Sequence, residues 1–330
     1  MLIEVSEPSQ AGAARRMAVA YAEDLHMEQA RCGEIALVTT EMATNLVKHA
    51  GRGHILVQPL HGRDSGVRVM SVDKGPGIAD VSKALSDGHS TAGSMGTGLG
   101  AIRRLADSFD LYSGSAGTVV SAEFRHEKKH NRSLASAAIE VGVVSEPIAG
   151  EDVCGDGWGF RPLADGILLM VVDGLGHGVM AAEAAREAER VLSSTREISL
   201  QEITQDMHAA LRKTRGAALG LARIDVEKSL LSFAGVGNVS ASILAPGSSR
   251  SLASHNGILG QNISRVQEFT SPWGSNNVLV MHSDGLLSRW DLDRYAGIWN
   301  KPPSVIAAVL HRDFSRGRDD VTVLVAKAIA

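Results

Sequence analysis

Residues 166–178 read Gly166-Ile-Leu-Leu-Met-Val-Val-Asp173-Gly-Leu-Gly-His177-Gly178. A strongly apolar run ends on a single aspartate, and glycines follow it. The run is far short of the ~20 residues a membrane helix needs; its length and its glycine bounds suit a buried strand. Outward from it the pattern recurs. Gly155-Asp156-Gly157 lies upstream, Ser283-Asp284-Gly285 follows the apolar segment Val278–Met281, and Arg318-Asp319-Asp320 precedes Val321–Val325. Strand ends of this kind can bring several carboxylates to one pocket. No cysteine pair or histidine cluster accompanies them, so all-oxygen ligation suits magnesium or manganese rather than zinc. Carboxylates gathered without cations repel one another, which makes divalent ions the natural compensation. Two such ions about 3.5–4 Å apart can activate a bridging water and clamp a phosphoryl group. Any one of these aspartates alone is an ordinary turn residue; the ordered set carries the reading.

The chain has 330 residues, long enough for two domains. Its 44% hydrophobic and 21% charged residues are those of an ordinary globular protein, which excludes overall disorder. The first 25 residues have no apolar signal core, and Cys32 and Cys154 lie too far apart for a CxxC pair. Both features point to a reducing cytoplasm. A net charge of −4 and 4% aromatics argue against nucleic-acid partners, and no segment suits a membrane. The basic stretch Arg125–Ser133 separates two apparent strands. It reads as a solvated connector rather than a nucleic-acid patch, which divides the chain into residues 1–126, a linker at 127–136, and residues 137–330.

In the first half, residues 10–26 and 28–49 read as helices, with Ala14, Ala18, Ala22 and Leu25 on one buried stripe and Ile35, Val38, Met42 and Leu46 on the other. Strands are expected at His54–Leu60, Val67–Asp73 and Thr118–Phe124. The second half reads as strands around helices near 178–194 and 199–213, with Ser199-Leu-Gln-Glu202 as a capping box and Pro302-Pro303 opening a last helix. Blocks of this kind predict α+β layers in both domains.

Glu41, Asn45 and His49 recur every four residues and share one helix face. An amide oxygen is a hard, neutral magnesium ligand, and a carboxylate one turn away can take a proton or orient water. Val72-Asp73-Lys-Gly75-Pro-Gly77-Ile78 ends a strand on an aspartate able to accept from a purine amine, beside glycines that let the backbone approach a ligand. Gly96-Thr-Gly98-Leu-Gly100 then runs into a helical segment, an arrangement that cradles phosphate.

In that order, Glu-x-x-x-Asn, Asp-x-Gly-x-Gly and Gly-x-Gly-x-Gly resemble the ATP site of the GHKL superfamily over about residues 10–125. The segment Glu41–Gly51 and the short lid with Asp87-Gly-His-Ser-Thr91 are most similar to the anti-sigma-factor serine/threonine kinases. The resemblance implies a GHKL (Bergerat) α/β sandwich with Glu41 as catalytic base and Asn45 holding magnesium. It further implies Asp73, Gly75 and Gly77 around adenine, and Gly96, Gly98 and Gly100 in the lid. His49 stands as an ATP-face residue or as a structural histidine. Too little chain precedes Glu41 for the phosphoacceptor hairpin of a sensor histidine kinase, and the short lid counts against a gyrase-type machine.

Over about residues 137–328, Gly150-Glu-Asp-Val-Cys-Gly-Asp156, Asp173-Gly-Leu-Gly-His-Gly178 and Ser283-Asp-Gly285 resemble the SpoIIE-like branch of the PPM phosphatases. That implies an α-β-β-α sandwich with two manganese or magnesium ions. Asp173 would bridge them, Gly174 would offer its carbonyl, Asp156 and Asp284 would add ligands or hold ligand waters, and Asp319 would be the last metal aspartate with Asp320 in reserve. Leu175 stands where many relatives have a histidine, so the general acid is open between His177 and another group, and Arg161 is the nearest candidate to grip phosphate. Together the two resemblances imply a bifunctional switch, ATP-dependent kinase and metal-dependent phosphatase. Its partners would be STAS-domain anti-anti-sigma or stressosome-type proteins, with a downstream phosphatase or sigma-factor regulator beyond them. The alternative is a phosphatase whose GHKL domain only binds ATP and partner.

Overall fold

The structure is a computed structural model and describes residues 1–60, 66–85, 98–126, 139–196, 199–263 and 266–328. The chain divides into two compact units, Met1–Leu134 and Ala135–Ala330. The linker expected at 127–136, the lid segment Asp87–Thr91 and Gly96 lie outside the described residues.

The first unit contains β1 (Leu2–Val5), α1 (Pro8–Asp24), α2 (Gln29–Asn45), β2 (Gly53–Leu60), β3 (Gly66–Asp73), a single turn α3 (Val81–Ala84), α4 (Gly98–Leu105), β4 (Ser108–Gly114) and β5 (Gly117–Arg125). The sequence pattern did not disclose β1, which is short and pairs at the edge with β2. Pro8 at the first helical turn and a reciprocal pair between Glu7 and Gln10 start α1. The strands pair antiparallel in the order β1-β2-β3-β5-β4. The expected stripes of α1 and α2 are buried in one core with Val57, Val67, Val69, Val120, Ala122 and Phe124 of the sheet. The alanines of α1 are small enough to let the helices lie close.

The second unit contains β6 (Ile139–Glu146), β7 (Asp156–Leu163), β8 (Gly166–Gly174), α5 (Val179–Ser194), α6 (Leu200–Ala210), β9 (Ala217–Asp225), β10 (Leu230–Val236), β11 (Ser240–Ala245), β12 (Ser248–Leu252), β13 (Ser254–His255), β14 (Gly257–Ile258), β15 (Asn262–Ile263), β16 (Phe269–Pro272), β17 (Val278–His282), α7 (Pro303–Phe314) and β18 (Val321–Ala328). One sheet runs β13-β10-β9-β8-β7 with β16 on β10, and the second runs β12-β11-β17-β18-β6. The apolar run of β8 does not alternate because both its faces are covered. Leu168, Met170 and Val172 face α5 and α6, whereas Ile167, Leu169 and Val171 meet Leu279, Met281 and Leu324 of the second sheet. Ser199 starts α6 by accepting from the Glu202 amide at 3.4 Å. Helix α7 packs on β6 and β18, completing an α-β-β-α sandwich.

Gly142 of β6 is what lets α7 sit so close, since a Cβ there would overlap the backbone of Pro303 and Ser304. Gly142→Val is expected to destabilise the second unit by about 1–3 kcal/mol through overpacking. Thermal melting checks this: the variant should melt several degrees lower, and an unchanged transition would contradict the close seat of α7.

Candidate functional site

In the second unit the strand ends gather the aspartates. The register of β7 and β8 places Asp156 opposite Asp173, and Gly174 donates its amide to the Gly155 carbonyl at 3.2 Å. Asp284 follows β17, and Asp319 precedes β18. Asp173, Asp284 and Asp319 line one cavity of about 150 Å3 with Leu175, Gly176, Ala218 and Asn238. No Lys, Arg or His is among its described lining residues.

The electrostatics follow from that crowding. Burial pushes Asp173 up to about 7, and the charges of Asp284 and Asp319 push the same way. Asp319 is raised by burial and then by Asp284. Asp156, 7% exposed, is held well above the carboxylate range by burial and then by Asp173. Burial, then Asp156, raises Cys154 to about 12, so this thiol stays protonated.

Asp156 and Asp320 stand behind the cavity rather than in its wall. Asp156 accepts from Ser283 Oγ at 2.6 Å, and Ser283 Oγ accepts in turn from the Thr322 amide at 2.9 Å. Asp320 is 2% exposed, and both its oxygens are engaged, by the Ile148 amide at 2.8 Å and the Gly155 amide at 2.9 Å. It ties the Ile148–Gly155 loop to the start of β18. Asp319 meets the cavity while its carboxylate also accepts from the Asp320 amide at 3.0 Å.

Three neighbouring groups escaped the sequence reading. Asn238, in the turn between β10 and β11, donates to Asp284 at 2.7 Å. A glycine–asparagine turn between strands is too common to signal a site. Glu151 lies 2.7 Å from His177 Nδ1. A Cβ on Gly176 would lie 3.2 Å from Arg215 Nη1, so this guanidinium passes beside a cavity residue. Arg161 is not near: it lies five residues along β7 from Asp156, about 16 Å at strand rise.

Three carboxylates and an amide are hard oxygen donors, a set that fits magnesium or manganese. They ring the cavity rather than close on a point: among the described residues, no three His, Cys, Asp or Glu side chains form a group that could hold a single ion.

In the first unit, α2 carries Glu41 and Asn45, but its geometry changes at the next residue. Leu46–Ala50 is a π turn, closed by Gly51 at φ +78°. The strict four-residue repeat therefore stops at Asn45, and His49, exposed, belongs to the wider turn. Such turns recur at functional sites. Asp73 ends β3 with Oδ1 accepting from the amides of Gly75 at 2.8 Å and Thr118 at 3.1 Å, which fixes its carboxylate. A Cβ on Gly75 would come within 2.9 Å of Ala50 Cβ, so the Asp73 loop sits on the end of the π turn. Gly77, at φ +78°, lies against Gly114, and Ser113 Oγ accepts from the Ile78 amide at 2.8 Å. Gly98 and Gly100 open α4, and a Cβ on Gly98 would meet nothing within 4 Å.

A family model of the histidine kinase-like ATPase domain matches residues 5–124, and that of stage II sporulation protein E (SpoIIE) matches residues 164–329. The serine/threonine-protein kinase RsbT of Bacillus subtilis (strain 168) is 35% identical over 112 residues, 33% of this chain and 84% of the relative. The phosphoserine phosphatase RsbX of the same organism is 24% identical over 138 residues, 42% of this chain and 69% of the relative. A crystal structure of RsbX with magnesium shares the fold, with a TM-score of 0.51 at 22% identity over 58% of this chain and 96% of that one. A chain from a structure of the bacterial stressosome is 31% identical, with a TM-score of 0.54 over 57% of this chain and 99% of that one.

The raised Asp173 carries a pH dependence. Its folded value of about 7 exceeds the ordinary carboxylate value. Without metal, the stability it contributes is full below about pH 4 and is lost as pH rises through about 7. Divalent ions bind the deprotonated form, so their hold strengthens over the same range. The gap in melting temperature between manganese-loaded and EDTA-treated protein should be wider at pH 8 than at pH 5.5. Asp173→Asn should flatten that difference; a gap independent of pH would count against the cavity as the metal site.

Proposed function

The chain belongs to the SpoIIE family through residues 164–329 and carries a histidine kinase-like ATPase domain over residues 5–124, and from that premise we propose that it is a bifunctional regulator of a partner-switching cascade. Its second unit is a metal-dependent phosphatase of protein phosphoserine or phosphothreonine. Its first unit is an ATP-dependent serine/threonine kinase. Both act on STAS-domain anti-anti-sigma or stressosome-type proteins, in the cytoplasm. The observation that carries the reading is the convergence of Asp173, Asp284 and Asp319 on one cavity with no basic residue among its described lining.

In the phosphatase, Asp173, Asp284 and Asp319, with the Gly174 carbonyl, would hold divalent ions, which would supply an activated water and neutralise phosphoryl oxygens. Asp156 and Asp320 keep the strand ends in place through Ser283, Gly155 and Ile148. Asn238 orients Asp284. Arg215, exposed beside Gly176, offers a planar cation to the phosphate. His177, oriented by Glu151, gives a proton to the departing serine oxygen. In the kinase, Glu41 takes the proton of the attacking hydroxyl and Asn45 supplies an oxygen to magnesium. Asp73, fixed by Gly75 and Thr118, accepts from the adenine amine, and Gly98, where a Cβ would meet nothing within 4 Å, leaves room for phosphates. The 35% identity to a serine/threonine-protein kinase supports the transfer role.

Two opposed activities in one chain share one effective concentration around a docked partner. With ATP and high manganese, wild-type protein should leave a STAS partner mostly unphosphorylated. Asp173→Asn should slow phosphate release by more than about 100-fold, since changes around metal ligands alone cost roughly 10–100-fold, and phospho-partner should accumulate. Adding Glu41→Ala should erase that accumulation. Phosphate-affinity gels read all three proteins. A wild-type phosphatase rate in Asp173→Asn overturns the metal assignment; absence of phospho-partner in that variant makes the first unit a docking module.

A further inference from the structure

Seven large apolar side chains are exposed among the described residues, and four of them lie on the two segments that leave the acidic cavity. Leu175, Val179 and Met180 follow Asp173, and Leu287 follows Asp284. Val179 is 65% exposed and Met180 47%. A single exposed apolar residue is ordinary, whereas a cluster at a site marks contact with another molecule. The backbone keeps this cluster at the cavity. Leu175 belongs to the cavity wall. A Cβ on Gly174 would overlap the Ala181 carbonyl, so the first turn of α5 is seated on the residue next to Asp173. Gly178, at φ +71°, turns the chain into that helix, where Ala181 and Ala182 are buried and Val179 and Met180 stay in solvent. On the other segment, a Cβ on Gly285 would overlap the Asp320 carbonyl, which holds the start of the Leu287 loop against the residue that follows Asp319.

Continuity with the cavity says what covers this surface. A polypeptide whose phosphorylated side chain enters the cavity must pass Leu175, which lines the cavity and is also exposed. A phosphate group gains from metal ions and from a cation such as Arg215, and gains nothing from an apolar rim. The rim rewards apolar surface carried by the rest of the substrate. Methionine and arginine, represented here by Met180 and the exposed Arg215, are enriched where proteins meet. Resting on the phosphatase reading above, we infer that Val179, Met180 and Leu287, with Leu175 at the cavity edge, form a specificity surface that selects phosphoserine flanked by apolar residues. The cavity takes the phosphate, and the rim takes the side chains beside it. A phosphoserine set among polar residues, or a small phosphate ester, reaches the same cavity without that gain.

The test uses the full chain with saturating manganese and three probes: a hexapeptide with one phosphoserine among valines and leucines, one with phosphoserine among serines and asparagines, and p-nitrophenyl phosphate. Wild-type protein should show a kcat/KM about 10-fold higher for the apolar peptide than for the polar one, the effect of partly burying one or two apolar side chains. The double variant Val179→Ser with Met180→Ser should abolish that preference and leave p-nitrophenyl phosphate hydrolysis unchanged. Leu287→Ser should reduce the preference in part, and it decides the matter if the double variant does not fold. Equal kcat/KM for the two peptides in wild-type protein overturns the inference, as does a preference that survives in the folded variants. Equal loss on p-nitrophenyl phosphate overturns it too, because the effect then lies in the Asp173 segment itself. Sedimentation tests the other occupant: a wild-type dimer that the double variant breaks assigns the rim to a second copy of the chain and overturns the inference. If wild-type protein hydrolyses none of the three probes, the phosphatase reading fails, and the calorimetric Kd values of the two intact peptides decide the rim by the same ratio.

Discussion

Like charges held together at the end of β8 are the constraint around which the second unit is arranged. Asp173 faces Asp284 and Asp319 across one cavity, with Asp156 behind it, and burial and neighbouring carboxylates oppose the deprotonation of Asp173, Asp319 and Asp156. Such a set stays in place only if the surrounding backbone holds it. Ser283 does so between the sheets: its hydroxyl donates to Asp156 of one sheet and accepts from Thr322 of the other. Asp320 does so from below, bridging the Ile148 and Gly155 amides. The two-sided burial of β8 then fixes the position of its last residues, because neither face can slide without opening a core.

In the first unit a single carboxylate is set by geometry instead, beside the end of the helix that carries Glu41 and Asn45. The π turn after Asn45 lets the chain leave α2 close to β3, where the Asp73 loop rests on Ala50. Two backbone amides then hold the Asp73 carboxylate in one orientation. The two units thus use aspartate in opposite ways, one isolated and hydrogen-bonded, the other crowded.

Legibility in the sequence follows the same physics. Long periodic elements were readable: the stripes of α1 and α2 are buried as their spacing predicts, and β8 stood out because both its faces are apolar. Edge and turn elements were not. β1 is four residues long with only Val5 buried, and nothing in its pattern separates it from a loop. The π turn is invisible to a test of period 3.6, so His49 read as a plain repeat of Asn45. Asn238 comes to the acidic cavity, and Arg215 to the side of Gly176, from loops far along the chain, and their types and spacing carry no signal until the sheets are assembled. Arg161, the nearest candidate in the sequence to grip phosphate, lies on the extended strand β7, which carries it away from Asp156.

Neighbouring residues of one type show why spacing alone could not settle the donors. Asp319 and Asp320 are adjacent, and either could follow from the motif. Burial and partners separate them. Asp320 is nearly sealed, and its two oxygens already meet backbone amides, so a metal ion could claim it only by breaking bonds that position Gly155 and therefore Gly174. Asp319 lines the cavity and keeps a raised proton affinity that comes from burial and then from Asp284. A carboxylate whose repulsions are unrelieved gains most from a cation, whereas one already satisfied by amides gains little. Asp156 stands with Asp173 and Asp319 rather than with Asp320: burial and then the Asp173 charge raise it, while Ser283 engages one of its oxygens. In this fold the groups best suited to hold metal are those the protein itself has left least compensated.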